Sequence, residues 1–487
     1  MLILSVLFPV ALGLGILVCG KLKSRNLLLT LTGLGLAATA ALGLCVVFGG
    51  EQELLLFSFG KNLELYFRVD TMGRFFALVV NAIWLLAGFF AFEYMKHEQE
   101  ERRFFGFYVM VHGILHGLVF SGNMVTFYLF YELMTLLSVP LILHSRTKDA
   151  IKGGLKYLFY SLFGAYMVLF GLFFLNRYAT SLSFLPGGNL DMAAVAGNEP
   201  LMLAVAFSMI LGFSVKAGMF PLHAWLPTAH PVAPAPASAV MSGIIVKMGV
   251  LGMIRVVYYL VGPDFIRGTW VQTAWMSLTL VTVFMGSMLA YREKVMKKRL
   301  AYSTVSQASY ILFGLSLLQP QAMTGALLHV VFHAVIKSCL FLSAGAIIYK
   351  THKTNVADLQ GIGKEMPVTI WCYTFASAAL IGIPPASGFI SKWYLATGAL
   401  ESGLGVFSWL GPVVLLTSAL LTAGYLLPIT VNGFLPGNDF DYSRLEKKEP
   451  NLTMLVPLLI LGLLAVLMGV FPNFLTDSIR ALVNTLV

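Results

Sequence analysis

Apolar residues occur along this chain in runs of roughly twenty, the length a helix needs to cross the hydrocarbon layer of a bilayer. Short polar or glycine- and proline-containing segments separate the runs. About fourteen such helices are predicted, beginning near Ile3, Leu27, Met72, Phe105, Met124, Leu155, Leu201, Val232, Val271, Leu300, Ala322, Val368, Leu410 and Met454. The longest stretches between them, Gly49 to Asp70 and Arg177 to Pro200, are too short to bury a core of their own. The expected fold is therefore an all-α polytopic membrane protein without a soluble domain. The first run has few flanking charges and no small-residue cleavage site, so a retained helix is expected there rather than a secretory signal.

Composition places the chain in the same class. Apolar residues fill 58% of its 487 positions, charged residues only 11%, and mean hydropathy is +0.84, against roughly 25% charged content in a soluble domain. The net charge of +10 changes the picture only through its distribution. Lys and Arg collect in short cytoplasmic loops. With alternating helices, one side would hold Lys21, Lys23 and Arg25, then Lys96, Arg102 and Arg103, then Arg146, Lys148, Lys152 and Lys156. The same side would hold Arg292, Lys294, Lys297, Lys298 and Arg299, then Lys350, Lys353 and Lys364, then Arg444, Lys447 and Lys448. The opposite side has Lys61, Arg68, Arg74, Arg177, Arg267 and Arg480. Both termini are therefore expected on the non-cytoplasmic side of a prokaryotic cytoplasmic membrane, and topology accounts for the charge without a nucleic-acid partner.

Glu132, Lys216, Lys247, Lys337 and Lys392 lie inside the apolar runs. An ionisable side chain at bilayer depth costs at least roughly 2.5–3.5 kcal/mol on insertion scales, and such residues usually mark an ion path. Two of these lysines flank breaks. Pro221 follows Lys216 in the seventh predicted helix, and Pro384-Pro385 with Gly388 precede Lys392 in the twelfth. Proline removes a backbone donor and disrupts the preceding turn. Unwound backbone at membrane depth is tolerated only in a protein interior or a wet cavity, and paired broken helices point to a transport path. The spacing of the two breaks is that of two inverted five-helix repeats, helices 4–8 and 9–13. Residues 1–104 would hold the first three helices, 105–262 and 263–432 the two repeats, and 433–487 the last helix.

Cys19, Cys45, Cys339 and Cys372 are far apart in sequence and lie in apolar segments, without the close pairing of iron–sulfur or zinc sites. No Gly-rich phosphate loop follows a strand. No metal, cofactor or catalytic centre is expected in this chain.

The run Lys216-Ala217-Gly218-Met219-Phe220-Pro221-Leu222-His223-Ala224-Trp225-Leu226-Pro227-Thr228-Ala229-His230, with Ala233-Pro234-Ala235-Pro236 and Lys247, resembles the signature of the antiporter-like subunits of respiratory complex I. Mrp-type cation/proton antiporters and energy-conserving membrane-bound hydrogenases contain the same subunits. Tyr131-Glu132-Leu133, the segment His329 to Ser338, and Gly382-Ile383-Pro384-Pro385 through Lys392 extend the match over helices four to thirteen. The resemblance implies that Glu132 and Lys216 form a charged pair in one half-channel, that Lys247 is the central relay, and that Lys392 ends the second half-channel. Lysine rather than glutamate at Lys392 is similar to the D subunit of Mrp and to the N-type subunit of complex I. The implied partners are other membrane subunits, further antiporter-like ones included, with iron–sulfur, nickel–iron or flavin centres held by those partners.

The chemistry stands without the family. Lysine in a dry site sheds its proton more readily, and an anion within a few ångströms opposes this. Movement of Glu132 relative to Lys216 would thus turn a charge displacement into a proton displacement towards Lys247, which arginine could not do. His329, His333 and Lys337 recur at i, i+4 and i+8 and share a helix face. Imidazole both accepts and donates near neutral pH.

Each residue has a plainer alternative. Lys216, Lys247 or Lys392 could snorkel from a helix end, and Lys337 could be structural with the histidines carrying the relay. His112 and His116 fit satisfied core histidines as well as an accessory route. His223 and His230 could cap carbonyls freed at the break, and Arg255 could be an interface anchor or an ion-pair partner. The leading expectation is a proton-translocating subunit of a redox-driven complex. An Mrp-type Na⁺/H⁺ antiporter subunit is the alternative, and a stand-alone solute transporter the remote one. Sodium sites recruit oxygen ligands, and only one deep carboxylate is visible, so protons are favoured.

Overall fold

The computed structural model describes residues 1–19, 24–60, 62–437, 440–441, 443 and 446–486. Lys21, Lys23, Lys61 and Arg444, which enter the charge count, lie outside them. The described chain is mostly helical, and ten of its helices are long and apolar enough to cross a membrane by length and composition. Leu2–Val18 and Pro367–Ile381 are shorter apolar helices.

Helix starts follow local chemistry. Asp70, Asn123 and Thr147 each accept a hydrogen bond from the backbone N–H three residues on, at 2.8, 2.8 and 3.2 Å, meeting donors that have no partner inside the helix. The all-α expectation needs one correction. Glu53–Gly60 and Leu63–Arg68 pair antiparallel as a β-hairpin, tied down by Arg68 N–H to the Phe120 carbonyl (2.9 Å) and Tyr66 N–H to Thr126 Oγ1 (2.8 Å). Its run of apolar residues alternates too poorly to show a half-buried strand from sequence alone.

Two helices form the interior. In Ala235–Val261 the most apolar window is 100% buried, and in Pro320–Thr351 it is 89% buried, against 33% in Val406–Phe434 and Leu452–Val470 at the periphery. Ala235–Val261 is also irregular, with π-helical turns at Met241–Ile245 and Arg255–Val261 around the α-helical Val246–Ile254. Such turns recur at functional sites.

Both expected breaks are present. Glu199–Ala217 ends at Gly218 (φ 77°), and Leu226–Val232 follows. Pro367–Ile381 ends at Gly382 (φ 92°), and Ser387–Leu400 follows. Left-handed backbone at the position after a helix favours glycine, which has no Cβ to clash. Met219 N–H then reaches the Ser214 carbonyl, and Ile383 N–H the Ala378 carbonyl, both at 3.0 Å. Each break contains a cis Xaa–Pro bond, Phe220–Pro221 and Pro384–Pro385.

Candidate functional site: a buried row of lysines and histidines

The two breaks and the irregular central helix place the predicted basic residues in the interior. Lys216, Lys247 and Lys337 are at most 1% exposed, so none of these amines snorkels to an edge. Lys216 occupies the last turn before the first break. Its ammonium donates to Thr135 Oγ1 (2.7 Å), Tyr157 Oη (2.9 Å) and Ser161 Oγ (2.8 Å). The Tyr157 hydroxyl is joined to Ser138 Oγ at 2.7 Å, and the Tyr157 and Tyr131 ring centroids lie 4.3 and 5.6 Å from the ammonium. A charge so enclosed needs such partners, because burying it unpaired costs far more than any one hydrogen bond returns.

Glu132 lies one turn before Thr135 on Met124–Ile142. It makes no ion pair with Lys216; its Oε1 is buried and has no hydrogen-bond partner. The charged pair is thus two neighbours whose direct contact is replaced by hydroxyls.

Lys247 donates to the Ser242 carbonyl in the π-helical turn and meets His333 Nδ1. Ser242 Oγ is 2.8 Å from Thr304 Oγ1. His333 and His329 follow at a ring separation of 5.8 Å. His329 Nδ1 reaches Ser391 Oγ at 2.9 Å, and its ring stacks on Tyr310. Tyr310 also lies 5.2 Å from the Lys392 ammonium, which crosses the second break to donate to the Leu380 (2.6 Å) and Ile381 (2.8 Å) carbonyls. Lys247, His333, His329 and Lys392 therefore follow one another in a line of neighbouring groups, although no direct hydrogen bond joins the two imidazoles or His329 to Lys392, and both Nε2 atoms are buried without a partner. Lys337 branches from it, donating to Ser303 Oγ (2.6 Å) and the Leu300 carbonyl (3.0 Å), with Tyr425 Oη beyond at 2.8 Å from Ser303. No direct hydrogen bond links Lys216 to Lys247 among the described residues. Gly249 lets their helices touch: a Cβ there would lie 2.9 Å from Lys216 Cβ.

Residues 121–422 match the family described as "NADH:quinone oxidoreductase/Mrp antiporter, TM", and residues 57–105 match "NADH-Ubiquinone oxidoreductase (complex I), chain 5 N-terminus". The chain belongs to this antiporter-like family. It is 31% identical to NADH-quinone oxidoreductase subunit N of Desulforudis audaxviator (strain MP104C) over 432 residues, covering 84% of this chain and 83% of that protein. It is 30% identical to hydrogenase-4 component B of Escherichia coli (strain K12) over 85% of this chain and 64% of that longer protein. The fold superposes on a chain of the Mrp complex from Dietzia sp. DQ12-45-1b with a TM-score of 0.85 at 20% identity, covering 100% and 97% of the two chains. The chain is thus an antiporter-like membrane subunit of the kind found in complex I, hydrogenase and Mrp assemblies.

The remaining predicted residues of this antiporter-like subunit lie off the line. His112 and His116 both meet Asn81 Oδ1, at 3.0 and 3.1 Å, and His116 Nδ1 meets the Ser5 carbonyl at 3.1 Å. For Arg255 the interface-anchor alternative gives way to the ion-pair one, since it is buried and paired with Asp70. Capping by His230 is also corrected: both of its ring nitrogens are buried without a partner. The carbonyl freed near Lys216 is met instead by Trp225 Nε1, 2.7 Å from Val215 O. His223 Nδ1 is likewise buried without a partner. Sequence reasoning missed the hydroxyls that hold the amines. Tyr157 and Ser161 at i, i+4, and Thr135 one turn from Glu132, were the available signals. It also counted Lys297 as a loop residue, whereas Lys297 is only 5% exposed.

Proposed function

We propose that this subunit translocates protons along the buried row inside a multisubunit energy-converting membrane complex. The observation that carries the reading is the line Lys247–His333–His329–Lys392, in which groups able to gain and lose a proton follow one another between two helix breaks. Lys216 and Glu132 form the other half-channel, and charge movement at Glu132 drives release from Lys216 towards Lys247. Fourteen spans in this reading comprise three leading helices (1–104), two inverted five-helix repeats (105–262 and 263–432) and a final helix (433–487). Both termini face away from the cytoplasm of a prokaryotic cell. The similarity to a subunit N and to a hydrogenase component supports a redox-driven parent complex whose iron–sulfur, nickel–iron or flavin centres belong to partner subunits. Protons, rather than sodium, suit a row of amines and imidazoles.

A second reading, an Mrp-type antiporter subunit, is favoured by the fold likeness to the Dietzia complex. Proteoliposomes carrying the parent complex separate the two. Proton uptake should follow addition of an electron donor in the first case and an imposed sodium gradient in the second. In either case Glu132→Ala and Lys216→Ala should each abolish coupled transport and leave assembly intact. Full transport in either variant refutes the reading.

A further inference from the structure

Two adjoining polar cavities open on the side of the molecule that carries the loop residues His97 to Glu100. The outer one, about 350 Å³, is lined by His97, Glu98, Glu100 and His144, and the inner one, about 160 Å³, by Tyr94, Glu98, Pro231, Ala233 and Lys297. Glu98 and Ser145 line both. At the inner wall the buried Lys297 ammonium donates to the carbonyls of Pro231 (3.2 Å) and Ala233, where proline has interrupted the helix. The next residue back, His230, is fully buried with neither ring nitrogen bonded. It lies within electrostatic reach of Lys297, Lys337 and Lys247. Its ring stacks on Phe341 at 4.7 Å, and the Lys337 ammonium lies 6.0 Å from the same Phe341 ring.

A buried lysine bonded only to carbonyls, between a polar cavity and an unpartnered histidine, is costly unless it is used. We infer that Glu98, Lys297 and His230 form the lateral mouth of the proton row, carrying protons between the outer cavity and the Lys247–Lys337 region. This rests on the proton-translocating reading above. Inward, an N–H bond of the Lys297 ammonium breaks as one forms on a His230 ring nitrogen. The neutral amine then takes the proton of the Glu98 carboxyl, and the carboxylate is reprotonated from cavity water. Burial raises the Glu98 carboxyl above the usual carboxylate range, with Lys297 pulling the other way, which suits a group that must hold a proton before passing it on. Neither Lys297 nor Glu98 stood out in the sequence, since both sit in runs of loop charge.

The test uses the parent complex in proteoliposomes. Lys297→Arg keeps the charge and the donors to both carbonyls but cannot give up its proton, so a structural role survives it. Assembly should be normal while coupled proton transport falls at least about tenfold, less than general acid–base groups often contribute. A Ser145→Cys variant, treated from the loop side with a membrane-impermeant cationic thiol reagent, should lose most of its own untreated transport rate. Wild-type transport in Lys297→Arg, or no effect of the reagent once the introduced thiol is fully labelled, overturns the inference. If Lys216→Ala also transports normally, the underlying proton reading falls with it. If Lys216→Ala is dead while Lys297→Arg is unimpaired, only the lateral mouth falls.

Discussion

Replacing Asp70 by asparagine separates two tasks that one carboxylate performs. Its Oδ1 accepts the Gly73 N–H at 2.8 Å and so starts the helix Thr71–Tyr94. The same carboxylate takes both terminal nitrogens of Arg255, Nη2 at 2.8 Å and Nη1 at the second oxygen. Arg255 is 1% exposed, and Phe184 and Tyr259 each lie 4.6 Å from its guanidinium. Asparagine caps helices as well as aspartate does, so the cap survives. The guanidinium, however, loses its counter-charge inside the protein, which costs about 3–5 kcal/mol. Asp70→Ala adds roughly 1 kcal/mol for the lost cap. Removing both charges in Asp70→Asn/Arg255→Met should recover most of the loss, because an apolar replacement of a buried pair is often nearly neutral. Thermal unfolding can be followed with a fluorogenic thiol probe in a background lacking the exposed Cys19 and Cys45, so that only the buried Cys339 and Cys372 report. Asp70→Asn should lower the melting temperature clearly and the double variant should restore it. Wild-type melting in the single variant, or a double variant no better than the single, refutes the reasoning. Since Arg255 lies about two turns beyond Lys247 on the same helix, Asp70→Asn should also slow transport.

Further outcomes follow from single contacts. Tyr157→Phe keeps the ring over Lys216 and deletes one hydrogen bond to a charged group, about 1.5–3 kcal/mol. At about 1.36 kcal/mol per tenfold in rate, coupled transport should fall roughly tenfold or more in reconstituted vesicles, with unchanged subunit content. At Gly249, a Cβ would lie 2.6 Å from the Phe213 carbonyl oxygen and 2.9 Å from Lys216 Cβ. Gly249→Ala should therefore push the two lysine-bearing helices apart and destabilise the protein by about 1–3 kcal/mol, visible in the same thiol-probe melt. His144 lies in the outer cavity beyond its helix, and burial, with Arg103 nearby, pulls its imidazole down to about 4 from an ordinary 6.5. The stability contributed by the neutral ring is complete above about pH 6.5 and is lost as pH falls towards about 4. His144→Gln should flatten the acid side of a melting-temperature profile; an unchanged profile would show that the ring does not titrate there.

Membrane class, the two breaks and the placement of Lys216, Lys247 and Lys337 inside the protein were all legible in the chain alone. Each depends on neighbours within one helix: twenty apolar residues, a proline after a lysine, histidines one turn apart. Contacts between distant segments were not legible. Lys216 finds Thr135, Tyr157 and Ser161 on two other helices, and Lys247 finds His333 across 86 residues of chain. A hydroxyl at an apolar helix position carries no sign of the amine it will meet, because that depends on which helix faces pack together. The hairpin Glu53–Arg68 escaped detection because its apolar strands resemble the edges of a span. Lys297 escaped because only tertiary packing turns a lysine at the start of its helix inward, over the Pro231 and Ala233 carbonyls where another helix ends. Local sequence set where charge enters the apolar runs; the packing of helices decided which charged groups and hydroxyls meet.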